Sequence, residues 1–528
     1  MVRLVALVSL AGLCATTAVV VDRSQQVASA ATATPVRARV WWQGDRPISR
    51  VDPRFLSFAV DTAQVVGGEF WAPPGQGRGL LDTGPVQAYD FSRPRLRQLA
   101  AALAPAYLRV GGTDADRTVY RLGERDAERG AAKHARWALT GARWDALSEF
   151  ARALDLKLVF TLNAGRSARD QNGDWDPESA RALIAHAVKR GDPVAVWELG
   201  NEPNAFPLLH RTWLSAERYA ADLRRASALL AELRAPGKLA GPSSAYWPVL
   251  GEGRSFSNEV IERAGHVLGV VSWHYYPQQS HRCPVATRRA RPGVLPPPAQ
   301  LGDVEHWAQG VASVVRAHAP DAQLWLGETG SAQCGGEPGL SNAFADSLWW
   351  VDHLGRLARW GHAVVVRQTL SGSDYGLIDD TSLEPNPSYW ASWLWRRLMG
   401  TQVLAAGTDT NAASLRVYAH CTPDRAPGYT PGGVTLLVVN FDPVGTATLA
   451  LGAAASRATV YSLQADHLGA RRVRVGGSEL AIGRDGAFPE LPALGQSLAG
   501  GGELKVPPLS ASFVVLPDAG AAACAPAI

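Results

Sequence analysis

Two glutamates stand where predicted strands end, and their residue type and spacing suit the cleavage of a glycosidic bond. Glu202 lies in the segment 197–204 (WELGNEPN) and Glu328 lies in the segment 324–330 (LWLGETG). Two facing carboxyl groups can hydrolyse a glycoside, because one protonates the leaving oxygen while the other attacks the anomeric carbon or activates water. A single Glu at a strand end is usually a surface charge, so the hypothesis requires a fold that brings both residues to one site.

The sequence between about residues 55 and 400 predicts such a fold. Short apolar, β-branched runs alternate there with longer stretches of helical period, which is the pattern of β/α units. Eight strands are predicted: Phe55–Val60, Ala106–Val110, Leu156–Leu162, Val194–Leu199, Lys238–Gly241, Val267–His274, Leu324–Gly327 and Ala363–Thr369. Eight units suit an α/β fold of the (β/α)8 TIM-barrel type, whose C-terminal strand ends all face one mouth. A doubly wound open sheet is the alternative.

After residue 400 the pattern changes to short apolar runs separated by Gly, Pro and Asp, which predicts a smaller C-terminal all-β sandwich. An early strand, Val36–Trp42, has no partner in the barrel and is expected to pair with this C-terminal sheet. The predicted organisation is a signal peptide over 1–30, an N-terminal strand joining the sandwich over 31–50, the catalytic barrel over 51–400 and the sandwich over 401–528.

The N-terminus predicts export. Arg3 precedes an apolar run over residues 4–21, and Ala28-Ser29-Ala30 is a small-x-small sequence that a signal peptidase accepts. The exported protein would be periplasmic, cell-surface or secreted, and would not associate with a membrane after signal removal. An uncleaved anchor is the alternative, since the run is near the minimum length for a membrane span.

Four cysteines remain beyond this leader, Cys283, Cys334, Cys421 and Cys524. An even number in an exported chain suits two disulfides, although the residues alone allow three pairings or free thiols. No C-x-x-C or H-E-x-x-H spacing occurs, so a zinc site is not predicted. Neither a metal nor an organic cofactor is expected, because two carboxylates complete the hydrolysis.

The composition excludes several classes of protein. The chain of 528 residues carries a formal net charge of +4, far from the dense basic tracts of a nucleic-acid binder. Its 46% hydrophobic residues can form a large core. It has no phosphate-binding G-x-x-x-x-G-K-[ST] motif and no well-placed G-x-S-x-G, so neither a nucleotide enzyme nor a serine hydrolase is supported.

Over most of its length the chain resembles glycoside hydrolase family 79, and within it the heparanase-like endo-β-glucuronidases. The resemblance is carried by Ser57–Asp61, Tyr107–Thr113, Trp197–Asn204, Trp273–Tyr276, Trp325–Gly336, Val366–Gln368, Leu415–Cys421 and Phe513–Cys524. It implies a retaining hydrolase whose carboxyl groups lie about 5 Å apart. Glu202 would then be the acid/base and Glu328 the nucleophile.

The resemblance also implies substrate contacts and a disulfide. The residues expected to bind substrate are Asp61, Thr113, Asn201, His274, Tyr276, Cys334, Gly335, Gly336 and Tyr375. Asn201 would bond the sugar 2-hydroxyl, and Tyr375 with the N–H groups of residues 334–336 would hold the uronate carboxylate. Cys334 replaces the first of three family glycines. The family disulfide corresponds to Cys421 and Cys524, which leaves Cys283 to pair with Cys334.

The expected substrate is heparan sulfate or a related glucuronide polysaccharide. Four arginines of the loop after the sixth strand are candidates to meet its sulfates: Arg282, Arg288, Arg289 and Arg291. The short connection between Thr113 and Asn163 predicts a single chain that is active without proteolytic cutting. The Arg/Ala-rich composition and the export signal fit a bacterial origin, and a monomer is expected. The alternatives are an exo-acting β-glucuronidase on small or plant glucuronides and a non-catalytic carbohydrate-binding protein on a glycosidase scaffold.

Overall fold

A closed barrel of eight parallel strands forms the centre of the molecule. The computed structural model describes residues 36–73, 75–79, 82–123, 134–253, 255–452, 457–498 and 503–526. In chain order the barrel strands are Leu56–Asp61, Ala106–Gly111, Leu156–Leu162, Val194–Leu199, Lys238–Tyr246, Val270–Tyr275, Gln323–Thr329 and Val364–Arg367. The third strand pairs with the fourth and the eighth with the first, which closes the ring. The predicted TIM barrel is confirmed, and an open sheet is excluded.

The strands are almost entirely buried because side chains cover both of their faces. Inside the barrel, Val159, Val196, Trp325 and Val366 belong to one buried cluster that fills the lower part of the lumen. Outside, one long helix follows each strand: Pro94–Ala102, Gly141–Ala153, Glu178–Arg190, Ala216–Glu232, Phe256–Ala264, Asp303–His318, Phe344–Arg359 and Pro387–Leu398. Burial on both faces explains why the strands are continuous apolar runs rather than alternating ones.

The helix Ala216–Glu232 shows how local sequence fixes an outer element. The Ser215 hydroxyl accepts a hydrogen bond from the Arg218 N–H and caps the first turn. Tyr219 and Leu223 lie on the face that is buried against the barrel, whereas Glu217, Arg218 and Arg224 are exposed. The helical period of apolar residues therefore both forms this helix and orients it on the barrel.

Two further sheets make up the C-terminal β structure. Within the described residues, the smaller sheet has the order Ala406–Thr408, Arg37–Trp42, Ala447–Ala450, Glu503–Val506. The larger has the order Ser49–Arg50, Gln402–Leu404, Leu415–Cys421, Val434–Asn440, Ser510–Leu516, Thr459–Gln464, Arg474–Val475, Ser478–Glu479, with Gln496–Ser497 beside Thr459–Gln464. The early strand thus pairs with strands from the C-terminal part of the chain.

The larger sheet is buried on both of its faces. Leu436 and Val438 face the small sheet, where they share a core with Val40 and Leu449. The alternate residue Leu437 belongs to the core that includes the barrel helices. The sandwich is therefore packed onto the barrel through the outer face of its larger sheet. A disulfide joins Cys421, the last residue of one of its inner strands, to Cys524, and this predicted pairing is confirmed.

The remaining short elements decorate the barrel. Two small ribbons pair Glu69–Trp71 with Thr83–Pro85 and Thr118–Arg121 with Trp137–Thr140. The short helices are Thr62–Val66, Phe206–Leu209, Pro298–Leu301 and Leu491–Leu494, and the 3-10 turns are Thr113–Arg117, Arg166–Ala168, Pro203–Ala205, Gly265–Val267 and Ala522–Cys524. Among the described helices, none is long and apolar enough to cross a membrane. The predicted signal peptide lies outside the described residues.

Candidate active site

The two glutamates predicted from the sequence lie together in the mouth of the barrel. Glu202 follows the fourth strand in a left-handed conformation, with φ of 55°, and its N–H donates to the Ser243 carbonyl of the fifth strand. Glu328 lies within the seventh strand, beside His274 of the sixth. Both side chains are largely buried, and one carboxylate oxygen of each lies within 4.8 Å of the other.

Glu202 has the less polar surroundings of the two glutamates. Its side chain makes a single hydrogen bond within the described chain, between Oε1 and Nδ1 of His274 at 3.1 Å. Burial raises the pKa of Glu202 to about 7; the negative charge of Glu198 adds to this effect and the positive charge of Arg109 opposes it. Burial also lowers the pKa of His274 to about 4, so the imidazole is neutral at neutral pH.

Glu328 lies between two hydrogen-bond donors. The Tyr276 hydroxyl donates to Oε1 at 2.8 Å, and Nη1 of Arg109 donates to Oε2 at 2.8 Å. One oxygen is therefore fixed by a neutral donor and the other by a cation. The two glutamates have the same side chain but different surroundings, and this difference is what two distinct chemical roles require.

Arg109 and Glu198 are central to the site, although the sequence analysis assigned no role to either. Arg109 is 1% exposed and donates through Nε and Nη2 to Glu198 Oε2, at 3.0 and 2.8 Å. Its Nη2 also donates to Oδ1 of Asn201 at 2.8 Å. Burial would raise the pKa of Glu198, but the charge of Arg109 and the surrounding hydrogen bonds outweigh it and lower that pKa. A charged residue inside a buried strand was the available signal for both.

Asn201 is held in place by hydrogen bonds of both its backbone and its side chain. Its backbone N–H donates to Asp116 at 2.8 Å, and its Oδ1 accepts from the Gly112 N–H at 3.1 Å as well as from Arg109. Because these donors occupy the side-chain oxygen, the Nδ2 group is the part of the amide that remains to bind a ligand. The structure therefore brings Asn201 into the site, adjacent to Glu202 in the chain and bonded to the same Arg109 that donates to Glu328.

Asp61 and Thr113 lie at the ends of the first and second strands. Asp61 caps the short helix after its strand by accepting from the Ala63 N–H at 2.9 Å, and burial raises the pKa of its carboxyl well above the usual range. Gly112 has φ of 95°, and a Cβ there would lie 2.0 Å from Asp61 Oδ2. Glycine is thus required next to Thr113, which is half-buried at the start of a 3-10 turn.

Cys334, Gly335 and Gly336 form the loop after the seventh strand, and Tyr375 packs behind it. The Gly335 carbonyl accepts from the Tyr375 N–H at 3.2 Å. The Tyr375 ring is buried, close to the charges of Asp61 and Glu328. Cys334 is bonded to Cys283, so the second predicted disulfide is confirmed as well.

The prediction that Arg282 meets substrate sulfates is wrong. Its side chain is fully buried, and it donates to Asp374 at 2.7 Å and to the carbonyls of Gly336 and Ala72 at 2.8 and 3.2 Å. Arg288 already forms an ion pair with Asp303 at 2.6 Å. A loop sequence shows the charge of an arginine but not the carboxylate that tertiary folding places beside it.

A basic cavity lies over the second, third and fourth strands, on the side of the mouth opposite to the loop that contains Arg282. It has a volume of about 280 Å³ and is lined by Asp116, Arg117, His134, Arg136, Arg166, Leu209, His210 and Arg211. Asp116 links it to the site through its bond to Asn201. Arg166 and Arg211 are exposed and form no hydrogen bond or ion pair with the described part of the chain.

The site also contains one set of groups with the geometry of metal ligands. Glu202, His274 and Glu328 offer ligand atoms within 4.8 Å of one another, and they are the one such set among the described residues. Both oxygens of Glu328 already accept hydrogen bonds, one of them from the positively charged Arg109. The guanidinium thus supplies the positive charge that a cation would bring, and the arrangement suits two acting carboxyl groups better than a metal centre.

Comparison with known proteins identifies relatives over nearly the whole chain. Residues 79–355 match the family model "Glycosyl hydrolase family 79, N-terminal domain". The chain is 29% identical to heparanase of Gallus gallus, over 90% of this chain and 95% of that protein. It is 28% identical to inactive heparanase-2 of Mus musculus, over 73% of this chain and 66% of that protein.

A solved structure supports the fold. The crystal structure of a 4-O-α-L-rhamnosyl-β-D-glucuronidase from Fusarium oxysporum 12S superposes with a TM-score of 0.64, covering 91% of this chain and 100% of that one. The sequence identity is 16%, so the likeness concerns the barrel and β-domain architecture alone.

Proposed function

The chain belongs to glycoside hydrolase family 79, and from the geometry of its barrel mouth we propose that it is a retaining endo-β-glucuronidase acting on heparan sulfate. The observation that carries the proposal is the separation of the two carboxyl groups: one oxygen of Glu202 and one oxygen of Glu328 lie within 4.8 Å of each other. Inverting enzymes need about 6.5 to 9.5 Å to admit a water, whereas retaining enzymes use about 5 to 5.5 Å. One relative is named inactive heparanase-2, so the activity is argued from the site itself.

The first step uses the contrast between the two glutamates. Glu202, with its pKa raised to about 7, carries a proton at neutral and acidic pH and gives it to the leaving glycosidic oxygen. Glu328, oriented by Arg109 and Tyr276, attacks the anomeric carbon and forms a covalent glycosyl-enzyme. The bond from the sugar to the leaving oxygen breaks as the bond to Glu328 forms.

In the second step Glu202 acts as a base. It takes a proton from a water molecule, which attacks the anomeric carbon and releases Glu328, so the product keeps the β configuration. The Nδ2 group of Asn201 binds the sugar 2-hydroxyl, since its Oδ1 is already taken by Arg109 and the Gly112 N–H. That contact strengthens in the oxocarbenium-like transition state.

The preference for glucuronate rests on the loop after the seventh strand. The N–H groups of Cys334, Gly335 and Gly336 have no hydrogen-bond acceptor in the described parts of the protein, and Tyr375 lies directly behind them. Adjacent N–H groups in left-handed backbone form a concave site for an anion. We propose that they and the Tyr375 hydroxyl hold the uronate carboxylate, while Asp61 and Thr113 contact the sugar hydroxyls.

Sulfate recognition is proposed for the basic cavity. Arg166 and Arg211 are the exposed guanidinium groups there without a partner in the described chain, and Asp116 connects the cavity to Asn201. A polymer that extends from the cleft over this cavity would place its sulfates near two cations. A small glucuronide would not reach them.

We also propose that the protein acts as one exported, uncut chain. Residues 1–30 would be removed as a signal peptide, while 51–400 form the catalytic barrel and 401–528, with 31–50, the sandwich. The two disulfides suit an oxidising compartment. Intact mass of the secreted protein tests this proposal: a single mass starting after Ala30 is expected, and two fragments in the active material would contradict it.

The decisive experiment compares the size distribution of heparan sulfate after incubation with wild type, Glu328→Gln and Glu202→Gln. Discrete shortening by wild type alone is expected. Proton NMR of an aryl β-glucuronide digest should show the β-anomer of glucuronate first, before mutarotation. An initial α-anomer would refute the retaining mechanism.

Other outcomes would select the alternatives. Hydrolysis of the aryl glucuronide without shortening of the polymer would indicate an exo-acting β-glucuronidase. Binding of the polymer without hydrolysis of either substrate would indicate a carbohydrate-binding protein.

A further inference from the structure

Three consecutive residues after the nucleophile strand share an unusual backbone conformation. Cys334, Gly335 and Gly336 have φ of 61°, 82° and 83°. Two of the positions require glycine, because a Cβ at Gly335 would lie 2.7 Å from Trp71 and one at Gly336 would lie 2.7 Å from the Tyr375 nitrogen. The first position carries a cysteine, for which left-handed backbone is unfavourable, so something must hold it there.

The carbonyl groups of this loop accept hydrogen bonds from the loops after the sixth and eighth strands. The Gln333 carbonyl accepts from the Ser280 N–H at 3.1 Å, and the Cys334 carbonyl accepts from the Ser280 hydroxyl at 2.8 Å. The Gly335 carbonyl accepts from the Asp374 N–H at 2.9 Å. In a trans peptide the N–H points away from the C=O, so each N–H of residues 334–336 points away from the anchor of its own peptide group. The anchors therefore orient the three free donors.

Ser280 belongs to the loop after the sixth strand and Asp374 to the loop after the eighth. The loop after the sixth strand is joined to the nucleophile loop in two further ways. Cys283 is bonded covalently to Cys334. The adjacent Arg282 is fully buried, donates to the Gly336 carbonyl at 2.8 Å and pairs with Asp374 at 2.7 Å. We call the Cys283–Cys334 disulfide and the Arg282–Asp374 ion pair the clamp. It grips both ends of the three-residue turn and the residue directly before Tyr375.

We propose that the clamp determines the specificity of the enzyme for a carboxylate on the sugar, by fixing the N–H groups of residues 334–336 before substrate arrives. Its residues touch no reacting atom and act as positioning residues. This inference rests on the proposed function, because it assumes that the same loop receives the uronate. The binding energy of a pre-oriented donor set is larger than that of a mobile one, which must be ordered on binding.

A disulfide that only stabilised the fold would behave differently. Its loss would lower the melting temperature and affect all substrates alike. Loss of a carboxylate-positioning clamp would instead weaken binding of a glucuronide while leaving an uncharged sugar unaffected. The matched pair of substrates is 4-nitrophenyl β-glucuronide and 4-nitrophenyl β-glucoside, which differ at the sugar only in the carboxylate and hydroxymethyl groups.

The test is a double substitution, Cys283→Ser with Cys334→Ser, assayed on both substrates. We expect KM for the glucuronide to rise about 10-fold or more, with kcat within about 3-fold and with little change for the glucoside, as the weakening of charge-assisted hydrogen bonds requires. Cys421→Ser with Cys524→Ser is the control, since it removes the disulfide of the other domain and should leave the ratio of the two kcat/KM values unchanged.

Two further variants keep the proposal refutable. Arg282→Gln with Asp374→Asn removes the ion pair without leaving a buried charge, and it replaces the cysteine variant if that protein does not fold. The same glucuronide-selective rise in KM is expected. Cys283→Ser with Cys334→Gly removes the covalent bond but restores a residue suited to left-handed backbone, and it should remain impaired.

The results separate the clamp from the proposed function. A variant that loses the disulfide but keeps the wild-type preference for the glucuronide would overturn the clamp, and so would full recovery in the Cys334→Gly form. If wild type itself hydrolyses neither substrate while binding heparan sulfate, it is the proposed function that fails.

Discussion

Replacement of Glu202 by Gln should stabilise the protein at alkaline pH and have little effect at acidic pH. Glu202 is 7% exposed and its carboxyl has a pKa of about 7, raised from the ordinary 4.5 mainly by burial. Ionising a buried carboxyl with one hydrogen-bond partner costs free energy that the neutral amide of Gln does not incur. The carboxyl proposed as the catalytic acid is therefore a source of instability above its pKa.

The sign and size follow from linkage between protonation and folding. The folded-state pKa is higher than the unfolded one, so the contribution to stability is fully present below pH 4.5 and is lost as pH rises through 7. At roughly 1.4 kcal/mol per pH unit between these two values, wild type should lose about 2 to 3 kcal/mol between about pH 5 and pH 8 relative to the variant. Other titrating groups are common to both proteins and cancel in the difference.

The assay is urea unfolding of both proteins at these two pH values, followed by intrinsic tryptophan fluorescence. Glu479→Gln is the control, because Glu479 lies exposed in a surface hairpin of the β domain and its replacement should change nothing with pH. A Glu202→Gln variant as stable as wild type at pH 8, or less stable, would refute the argument that burial holds this carboxyl in its neutral form.

Four further predictions concern catalysis. The alkaline limb of kcat/KM should fall near pH 7 as Glu202 loses its proton, and a profile that stays flat to pH 9 would exclude it as the acid. Glu198→Gln should move that limb to lower pH, because the charge of Glu198 raises the pKa of Glu202; an unchanged limb would refute this coupling. Tyr276→Phe should lower kcat/KM about 10- to 100-fold through loss of its bond to Glu328, with circular dichroism unchanged; full activity would show that this bond is dispensable. Arg166→Glu should slow cleavage of heparan sulfate more than that of an aryl glucuronide, and equal effects would remove it from sulfate recognition.

The barrel could be predicted from the sequence because its strands are buried on both faces. The predicted runs Leu156–Leu162 and Val194–Leu199 coincide with the observed strands. The fifth strand was predicted to end at Gly241 but continues to Tyr246 through Pro242, Ser243 and Ser244. The proline and the two serines interrupt the apolar pattern because they lie at the mouth, where the Ser243 hydroxyl donates to Glu198. The predicted fifth strand therefore stops at the residue before the strand enters the site.

The proximity of the two glutamates could be predicted from the topology of the barrel. Strand ends in a parallel barrel meet at one face, so the carboxylate at the fourth strand and the carboxylate at the seventh had to be neighbours. The proximity of Glu202 and Glu328 follows from strand order alone, whatever the loops do. Arg109 and Glu198, which set the electrostatic surroundings of the two glutamates, could not be identified in this way. Their role depends on which side chains of neighbouring strands point into the barrel at the same level along its axis.

Arg109 and Arg282 show what decides the role of a charge in this protein. Both guanidinium groups are buried, and each bonds a carboxylate together with a polar group of the mouth. A buried charge is tolerated only when its partners are fixed, and fixed partners in turn hold the groups beside them. Arg109 thereby aligns Glu328, and Arg282 aligns the turn proposed to hold the uronate. Neither is free to bind a sulfate, so cations for the proposed heparan sulfate substrate would have to come from exposed positions such as Arg166, over the third strand of the barrel.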